Sequence, residues 1–149
     1  MKLVIQRVKS ASVSVSGEKV SEIGTGLFVL VGVTQTDTEK QADFLAEKVS
    51  KMRLMSDDAD KMNLTVSDVD GEILVVSQFT LYSDTSGGNR PSFLKAARPD
   101  IARPIYERFV EKLKEKGIPV KTGRFGEYMM IDPVFDGPVT IVMEEKAST

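Results

Sequence analysis

The chain has 149 residues, of which 41% are hydrophobic and 28% charged, and a formal net charge of −2, which is the composition of one globular domain with a single core. It contains no Cys and no His, which excludes disulfides, thiolate nucleophiles, Ser-His-Asp triads and metal sites built on sulfur or imidazole. Any catalysis must therefore use carboxylates, Lys, Tyr, hydroxyls, backbone dipoles or a group on the substrate.

The first half of the chain predicts four strands and one helix. The strands are expected at residues 3–8, 11–15, 20–23 and 26–33. The last of these is a continuous apolar run, which is typical of a buried central strand. A helix capped by Thr36 or Thr38 is expected from residue 39 to about 52. Its apolar face comprises Ala42, Leu45, Val49 and Met52.

The second half predicts shorter strands, two polar loops and a second helix. The strands are expected at residues 63–66, 72–81, 120–123, 128–131 and 138–143, with loops at 56–61 and 83–90. The helix is expected over residues 101–116, with Asp100 as N-cap and Gly117 as its end. Its inward face comprises Ile101, Ile105, Phe109 and Leu113. We therefore predict a single α+β domain over residues 1–149, with mainly antiparallel sheets that form a barrel-like core and two packed α-helices.

Charge is distributed unevenly along the chain. Residues 89–124 contain ten Lys or Arg and four acidic residues, a balance of +6, and the remainder of the chain carries −8. Such a segment can bind phosphates, or it can be the solvated face of a helix whose Glu and Lys pair. No apolar run is long enough to cross a bilayer, and Gln6 and Arg7 interrupt the apolar N-terminus before a signal peptide can form. We expect a cytoplasmic protein with no membrane partner.

The predicted core strand at residues 72–81 ends in polar side chains. After four apolar residues it presents Ser77, Gln78 and Thr80, with Phe79 between them. A buried hydroxyl or amide without a partner costs about 1–3 kcal/mol. These groups therefore bond the neighbouring backbone, which is the simpler interpretation, or they face a polar ligand.

A Gly-Pro pair, Gly137 and Pro138, follows near the C-terminus. Between two strands such a pair is most often a turn, and an X-Pro bond is cis in only about 5–6% of folded cases. A cis bond would instead make a rigid corner that can aim its carbonyl groups at a ligand. The pattern alone favours the turn.

Together these residues resemble the D-aminoacyl-tRNA deacylases of the D-tyrosyl-tRNA(Tyr) deacylase type. Residues 77–80 match the Ser-Gln-x-Thr motif of that family, and Gly137 with Pro138 matches its Gly-Pro signature. The similarity is collinear over nearly the whole chain and also includes residues 5–8, 11–13, 22–24, 26–27, 61–64, 89–93 and 122–126. One difference is Phe135, which stands where the family usually has Asn.

The resemblance implies a homodimeric ester hydrolase with its active site at the subunit interface and no cofactor or metal. Its implied substrate is the acceptor end of D-aminoacyl-tRNA, and also of glycyl-tRNA mischarged on tRNA(Ala). The implied catalytic residues are Ser77, Gln78, Phe79 and Thr80. Gly137 and Pro138 are implied to enter the partner's pocket as a cis main-chain corner that rejects L-amino acids. Arg7 is implied to brace that corner, and Phe125 and Met129 to line the pocket for the terminal adenosine.

Two chemical routes remain open at this point. In the first, the free 2′-hydroxyl of the terminal ribose activates water while the protein positions the ester. In the second, Thr80 Oγ is a covalent nucleophile, for which the sequence shows no adjacent general base. Backbone N–H groups near Phe79 and Thr80 can stabilise the oxyanion in either route. We favour the first.

Two other classes of function compete with the deacylase. A non-catalytic RNA-binding module would use the basic residues 89–124 but would leave both motifs without a purpose. An esterase for small esters would use the motifs but have no need of the basic segment.

Overall fold

The structure is a computed structural model that describes residues 1–148. Its strands are β1 (Lys2–Val15), β2 (Glu18–Ile23), β3 (Gly26–Gly32), β4 (Met55–Ser56), β5 (Met62–Leu64), β6 (Glu72–Ser77), β7 (Val120–Thr122) and β8 (Met130–Glu144). Its helices are α1 (Glu39–Lys51), α2 (Pro99–Glu115) and a single 3₁₀ turn (Phe79–Tyr82). Neither α-helix in this part of the chain has the length and apolar character to cross a membrane.

One mixed sheet organises the fold, in the order β2-β1-β3-β6-β7, with β8 paired to β1. The first half of β1 lies between β3 and β8, and its second half lies between β2 and β8. The sheet curls until β2 approaches β6 and β7, where Gly24 N–H donates to Glu72 Oε2 at 2.9 Å and Lys121 Nζ to the Glu22 carbonyl at 2.6 Å. The predicted α+β class with a barrel-like core and two helices is confirmed, and the β3–β6 and β6–β7 pairs are parallel.

Both faces of the central strands β3 and β6 are buried. On β6, Ile73 and Val75 pack in the larger core cluster under the helices, whereas Leu74 and Val76 pack in the smaller cluster enclosed by the curled sheet. A strand covered on both sides needs apolar residues at every position, which is why β3 has the continuous apolar run of a central strand. The prediction for residues 26–33 is confirmed to within one residue.

The helices cover the outer face of the sheet. Thr38 caps α1 in a capping box with Gln41, which confirms the second of the two predicted caps. Helix α2 begins earlier than predicted, with Arg98 at the N-cap position and Pro99 in its first turn, because the fixed φ of proline suits the start of a helix. Asp100 therefore lies inside the first turn. Ile101, predicted to face inward, is 38% exposed, and Ala102 is buried instead.

The largest differences from the predicted strands concern β1, β6 and β8. The two segments expected at 3–8 and 11–15 form the single strand β1, and those expected at 128–131 and 138–143 form the single strand β8. The strand expected at 72–81 ends at Ser77, where the chain turns into the 3₁₀ helix. The sequence pattern divided β1 and β8 into two segments each because local interruptions of the alternating pattern resemble turns. Both strands continue through these interruptions with irregular pairing.

Candidate active site

The polar motif lies where β6 leaves the sheet. Gln78 N–H makes the last bond to the central strand, donating to the Val31 carbonyl at 2.7 Å. The chain then turns, and Leu81 N–H donates back to the Gln78 carbonyl at 3.2 Å. This turn packs directly on β3 because residue 32 is glycine: a Cβ there would lie 2.9 Å from Leu81 Cβ and 3.3 Å from the Gln78 carbonyl oxygen. The close contact holds the motif at the end of a rigid core strand.

The first two N–H groups of the turn, those of Phe79 and Thr80, donate to no acceptor within residues 1–148. The side chain of Gln78 folds over the turn, with Nε2 donating to Thr80 Oγ1. The Thr80 hydroxyl therefore has its bond within the motif, and no carboxylate or amine among the described residues bonds to it. Adjacent free N–H groups are the kind of donor that stabilises a developing oxyanion.

A cavity of about 640 Å³ opens beside this turn. It brings together five of the predicted site residues: Ser77, Gln78, Phe79, Phe125 and Met129. Thr80 follows Phe79 but does not line the cavity itself. The volume lies in the range of pockets that hold small molecules and cofactors.

Aromatic side chains form much of the cavity wall. Phe79 is 56% exposed and meets Phe93 edge to face, with ring centroids 5.2 Å apart. Phe125 packs on Tyr106 at 5.7 Å between centroids. Burial raises the pKa of Tyr106 above its ordinary value, so the phenol stays protonated and donates to the Val75 carbonyl at 3.0 Å. The Phe125 wall is thereby anchored to β6.

Sequence patterns did not identify several of the residues that line the cavity. They come from the loop before α2 and the start of that helix, and from the segment before β8 and the start of that strand, and include Phe93, Ala97, Pro99, Glu127, Tyr128 and Ile131. Phe93 falls inside one of the segments of family similarity, which was the available signal. Tyr128 is 85% exposed. Nothing in the sequence indicated a role in the site, because residues 128–131 have the pattern of an ordinary strand.

Gly137 and Pro138 do not form a turn between two strands. They lie within β8, between Phe135, which pairs with Val8, and Thr140, which pairs with Gln6. The register shifts here, so that the segment bulges out opposite Arg7. The Gly137–Pro138 bond is cis, and Gly137 has a φ of +131°, a backbone conformation that favours glycine.

Arg7 is buried beneath this bulge. Its Nε lies 3.2 Å from the Asp136 carbonyl oxygen and 3.3 Å from Asp136 Oδ2. Its Nη1 donates in the other direction, to the Leu54 carbonyl at 3.0 Å and to Ser56 Oγ at 3.2 Å. The guanidinium therefore joins the bulge of β8 to the segment that follows α1.

The two motifs lie far apart within one chain. Ile131 lines the cavity, and Gly137 is six residues further along the extended strand, a separation of about 20 Å. Arg7, Gly137 and Pro138 are therefore absent from the cavity that contains Ser77, Gln78 and Phe79.

The basic segment does not form an unpaired cationic face. Of its ten Lys and Arg, nine lie within 4.0 Å of a carboxylate oxygen, and only Arg90 has no such partner among residues 1–148. Most of these pairs are exposed and lie on α2 or join it to α1, which favours the interpretation as a solvated helix surface. Among residues 1–148, no three His, Cys, Asp or Glu side chains are grouped so as to hold a metal ion.

Fold and site together define an α+β protein with a barrel-like mixed sheet and an aromatic cavity at the end of its central parallel strand. The chain belongs to the D-Tyr-tRNA(Tyr) deacylase family, whose model matches residues 4–144. The family resemblance inferred from the sequence is thereby confirmed.

Relatives match over the full length of the chain. A protein of Bacillus licheniformis named D-aminoacyl-tRNA deacylase is 55% identical and covers 99% of this chain and 100% of its own length. A protein of Flavobacterium johnsoniae with the same name is 53% identical, with 98% of each chain covered. Among solved structures, a c-Myc DNA unwinding element binding protein is 40% identical with a TM-score of 0.91, covering 99% of this chain and 100% of its own. A "probable eukaryotic D-amino acid tRNA deacylase", at 15% identity, 95% and 97% coverage and a TM-score of 0.83, shares the fold.

Proposed function

We propose that this protein hydrolyses the ester between D-amino acids and the 3′ end of tRNA, sparing L-aminoacyl-tRNA, and that it also clears glycyl-tRNA mischarged on tRNA(Ala). The family and its similarly named relatives support the reaction class. The observation that carries the proposal is the cavity beside the Phe79–Tyr82 turn, where Phe79 with its free N–H group, the Ser77 hydroxyl and aromatic walls meet.

The active site is completed by a second copy of the chain. Gly137 and Pro138 are both exposed at the surface of their own subunit, about 20 Å from the cavity that they are proposed to serve. A corner that projects from one subunit reaches such a cavity only on another molecule. In a homodimer with twofold symmetry, each subunit gives its corner to the partner and receives one in return.

An apolar surface on β8 supports this assembly. The outward side chains of this strand include Met130, Val134, Phe135 and Val142, which are between 48% and 66% exposed. They flank Gly137 and Pro138 on both sides along the strand. Exposed apolar side chains in such a row are typical of a protein interface.

Selection by main chain accounts for the proposed range of substrates. A rigid backbone corner excludes a Cβ that points in the L direction, whatever follows that atom in the side chain. Glycine has no Cβ, so the same corner cannot reject it. The enzyme therefore spares the L-aminoacyl-tRNA that translation needs, through steric rejection of L substrates.

The chemistry follows from the groups beside the cavity. The Phe79 and Thr80 N–H groups receive the oxyanion of the tetrahedral intermediate. The terminal adenosine lies against Phe125 and Met129. No general base bonds to the Thr80 hydroxyl within residues 1–148. We therefore assign the activation of water to the free 2′-hydroxyl of the ribose, which relays the proton of the attacking water to the departing 3′ oxygen. The ester then breaks to free amino acid and tRNA.

One assay tests this proposal against its rivals. Catalytic amounts of protein are incubated with D-tyrosyl-, L-tyrosyl- and glycyl-tRNA, and the loss of ester is followed. We expect turnover of the D and glycyl substrates with the L substrate spared. Binding without turnover would select an RNA-binding module. Turnover of small esters that does not fall with rising salt would select a general esterase, since contacts to tRNA phosphates are weakened by salt.

A second substrate tests the chemical route. D-tyrosyl-tRNA that ends in 2′-deoxyadenosine keeps its ester and lacks the activating hydroxyl. We expect its turnover to be lost while its binding is retained. Undiminished turnover would contradict the substrate-assisted route and leave the rest of the proposal intact.

A further inference from the structure

We propose that Ser56 determines stereospecificity as a positioning residue: together with the Leu54 carbonyl it orients Arg7, and through Arg7 it sets the place of the Gly137–Pro138 corner. This inference rests on the proposed function. Ser56 itself lies on β4, outside the cavity, and does not touch the proposed substrate.

The guanidinium of Arg7 is held from both ends. Nη1 is bonded to the segment after α1, at Leu54 and Ser56, whereas Nε faces Asp136, the residue before Gly137. Nη2 lies 3.4 Å from the position that a Cβ on Gly137 would occupy, so the group is packed directly against the corner. Because a guanidinium is planar and its N–H directions are fixed, the acceptors at Nη1 determine where Nε and Nη2 point.

Ser56 belongs to a small hairpin with its own internal hydrogen bonds, and Leu54 directly precedes it. β4 pairs with β5 in a separate two-stranded sheet. The loop between them is fixed by Asp57, whose Oδ1 accepts N–H bonds from Ala59 and Lys61 at 2.9 and 3.0 Å. These bonds lower the pKa of Asp57, chiefly through the Lys61 N–H, so the carboxylate stays charged and keeps them. Ser56 thus lies on a hairpin that is stabilised by its own hydrogen bonds and is separate from the six-stranded sheet.

A loosened Gly137–Pro138 corner should change the selectivity between L and D substrates more than the rate of turnover. The oxyanion donors and the aromatic walls are all carried by other elements, so loosening the corner leaves them in place. A corner that can shift readmits the Cβ of an L-amino acid. A substrate without a Cβ, or with its Cβ in the D direction, is not excluded by the corner in either position.

The test measures selectivity in Ser56→Ala. Single-turnover deacylation of D-tyrosyl-, L-tyrosyl- and glycyl-tRNA is compared at excess enzyme, with spontaneous hydrolysis subtracted. We expect the ratio of L to D rates to rise about tenfold, the scale of one lost hydrogen bond to a charged group, with D and glycyl rates within about twofold of the unmodified protein. Ser56→Thr keeps the hydroxyl and should restore the original ratio.

Ser50→Ala is the matched control. It also removes a hydroxyl, from a serine on α1 whose Oγ donates to the Glu47 carbonyl, away from Arg7. An unchanged ratio in Ser56→Ala, an equal rise in Ser50→Ala, or a parallel fall of all three rates would overturn the inference. Failure of the unmodified protein to hydrolyse D-tyrosyl-tRNA would instead refute the proposed function.

Discussion

Thr80 is the residue on which the two chemical routes differ most directly. Its hydroxyl accepts a hydrogen bond from Gln78, and its backbone N–H donates to no acceptor within residues 1–148. In the substrate-assisted route only the N–H contributes to catalysis. In the covalent route the side-chain oxygen forms the acyl intermediate, so its removal abolishes that intermediate.

Thr80→Val separates these routes, because it keeps the shape and the N–H and removes the hydroxyl. We expect kcat on D-tyrosyl-tRNA to fall by no more than about tenfold, whereas loss of a nucleophile would lower it by about a thousandfold or more. Thr36→Val, outside the cavity lining, controls for the substitution itself. A thousandfold loss confined to Thr80→Val would reject the substrate-assisted route.

Gly137 combines a positive φ with close packing. A Cβ at this position would lie 2.9 Å from Val139 N, and φ is +131°. Gly88 has a similar φ of +142°, but nothing lies within 4 Å of its added Cβ. The two glycines therefore share the backbone penalty and differ in crowding.

Gly137→Ala should accordingly destabilise the protein more than Gly88→Ala. We expect Gly137→Ala to lower the free energy of unfolding by about 1–3 kcal/mol, measured by urea denaturation. The value for Gly88→Ala should be smaller, because its loop has room to adjust. Equal losses at the two positions would show that contacts around the corner add nothing.

At the scale of elements, the ion pair between Arg108 and Asp43 joins the two helices. Arg108 on α2 donates to both carboxylate oxygens of Asp43 on α1, at 2.7 and 3.1 Å. This hydrogen-bonded contact lowers the pKa of Asp43 below its ordinary value of 3.8 and raises that of Arg108. Both side chains are more than a third exposed, so solvent screening keeps the contribution modest.

The pair predicts a specific dependence of stability on pH. Because the pKa of Asp43 is lower in the folded state, its contribution is fully present above pH 3.8 and is lost as the pH falls through the lowered value. Asp43→Asn should therefore be less stable than the unmodified protein at pH 7 and equally stable at strongly acidic pH. Urea denaturation of both proteins across this range measures the difference.

A double-mutant cycle assigns that difference to the pair. Arg108→Gln and the double variant complete the cycle, and the coupling free energy should disappear at acidic pH. A coupling that persists there would show that packing between α1 and α2, and not charge, joins the two positions.

How far elements were predictable from sequence depended on where their contacts lie. The bounds of β3 were predicted closely because both of its faces are buried. Those of α1 were predicted closely because the two residues of its capping box, Thr38 and Gln41, are only three positions apart in sequence. The predicted end of β6 and the predicted division of β8 into two strands were wrong. A hydrogen bond to Val31 and a register shift opposite Arg7 decide those two features, and both involve residues distant in sequence.

At the scale of the whole molecule, the proposed active site requires two chains. The cavity and the Gly137–Pro138 corner lie at separate places on one subunit, and the exposed apolar residues of β8 flank the corner. Assembly and activity should therefore be lost together.

Val142→Asp tests this coupling, since Val142 is 65% exposed on the outer face of β8. Burying a carboxylate in an apolar interface without a partner is costly, so we expect a monomer by light scattering and at least about a tenfold loss of D-tyrosyl-tRNA deacylation. Phe44→Asp changes a 51% exposed apolar residue on α1 and should leave both properties unchanged. An active monomeric Val142→Asp would contradict an interface site.

The sequence by itself determined the fold class, the family and the two motifs, because these depend on residue types and spacings that are local in the chain. It also limited the chemistry, since a chain without His or Cys must use other groups. Only the tertiary structure decided which motif residues share a cavity, that Phe93 and Tyr128 join them, and that Arg7 lies between the corner and Ser56. Those relations arise from strand register and packing between distant segments, which no local pattern specifies.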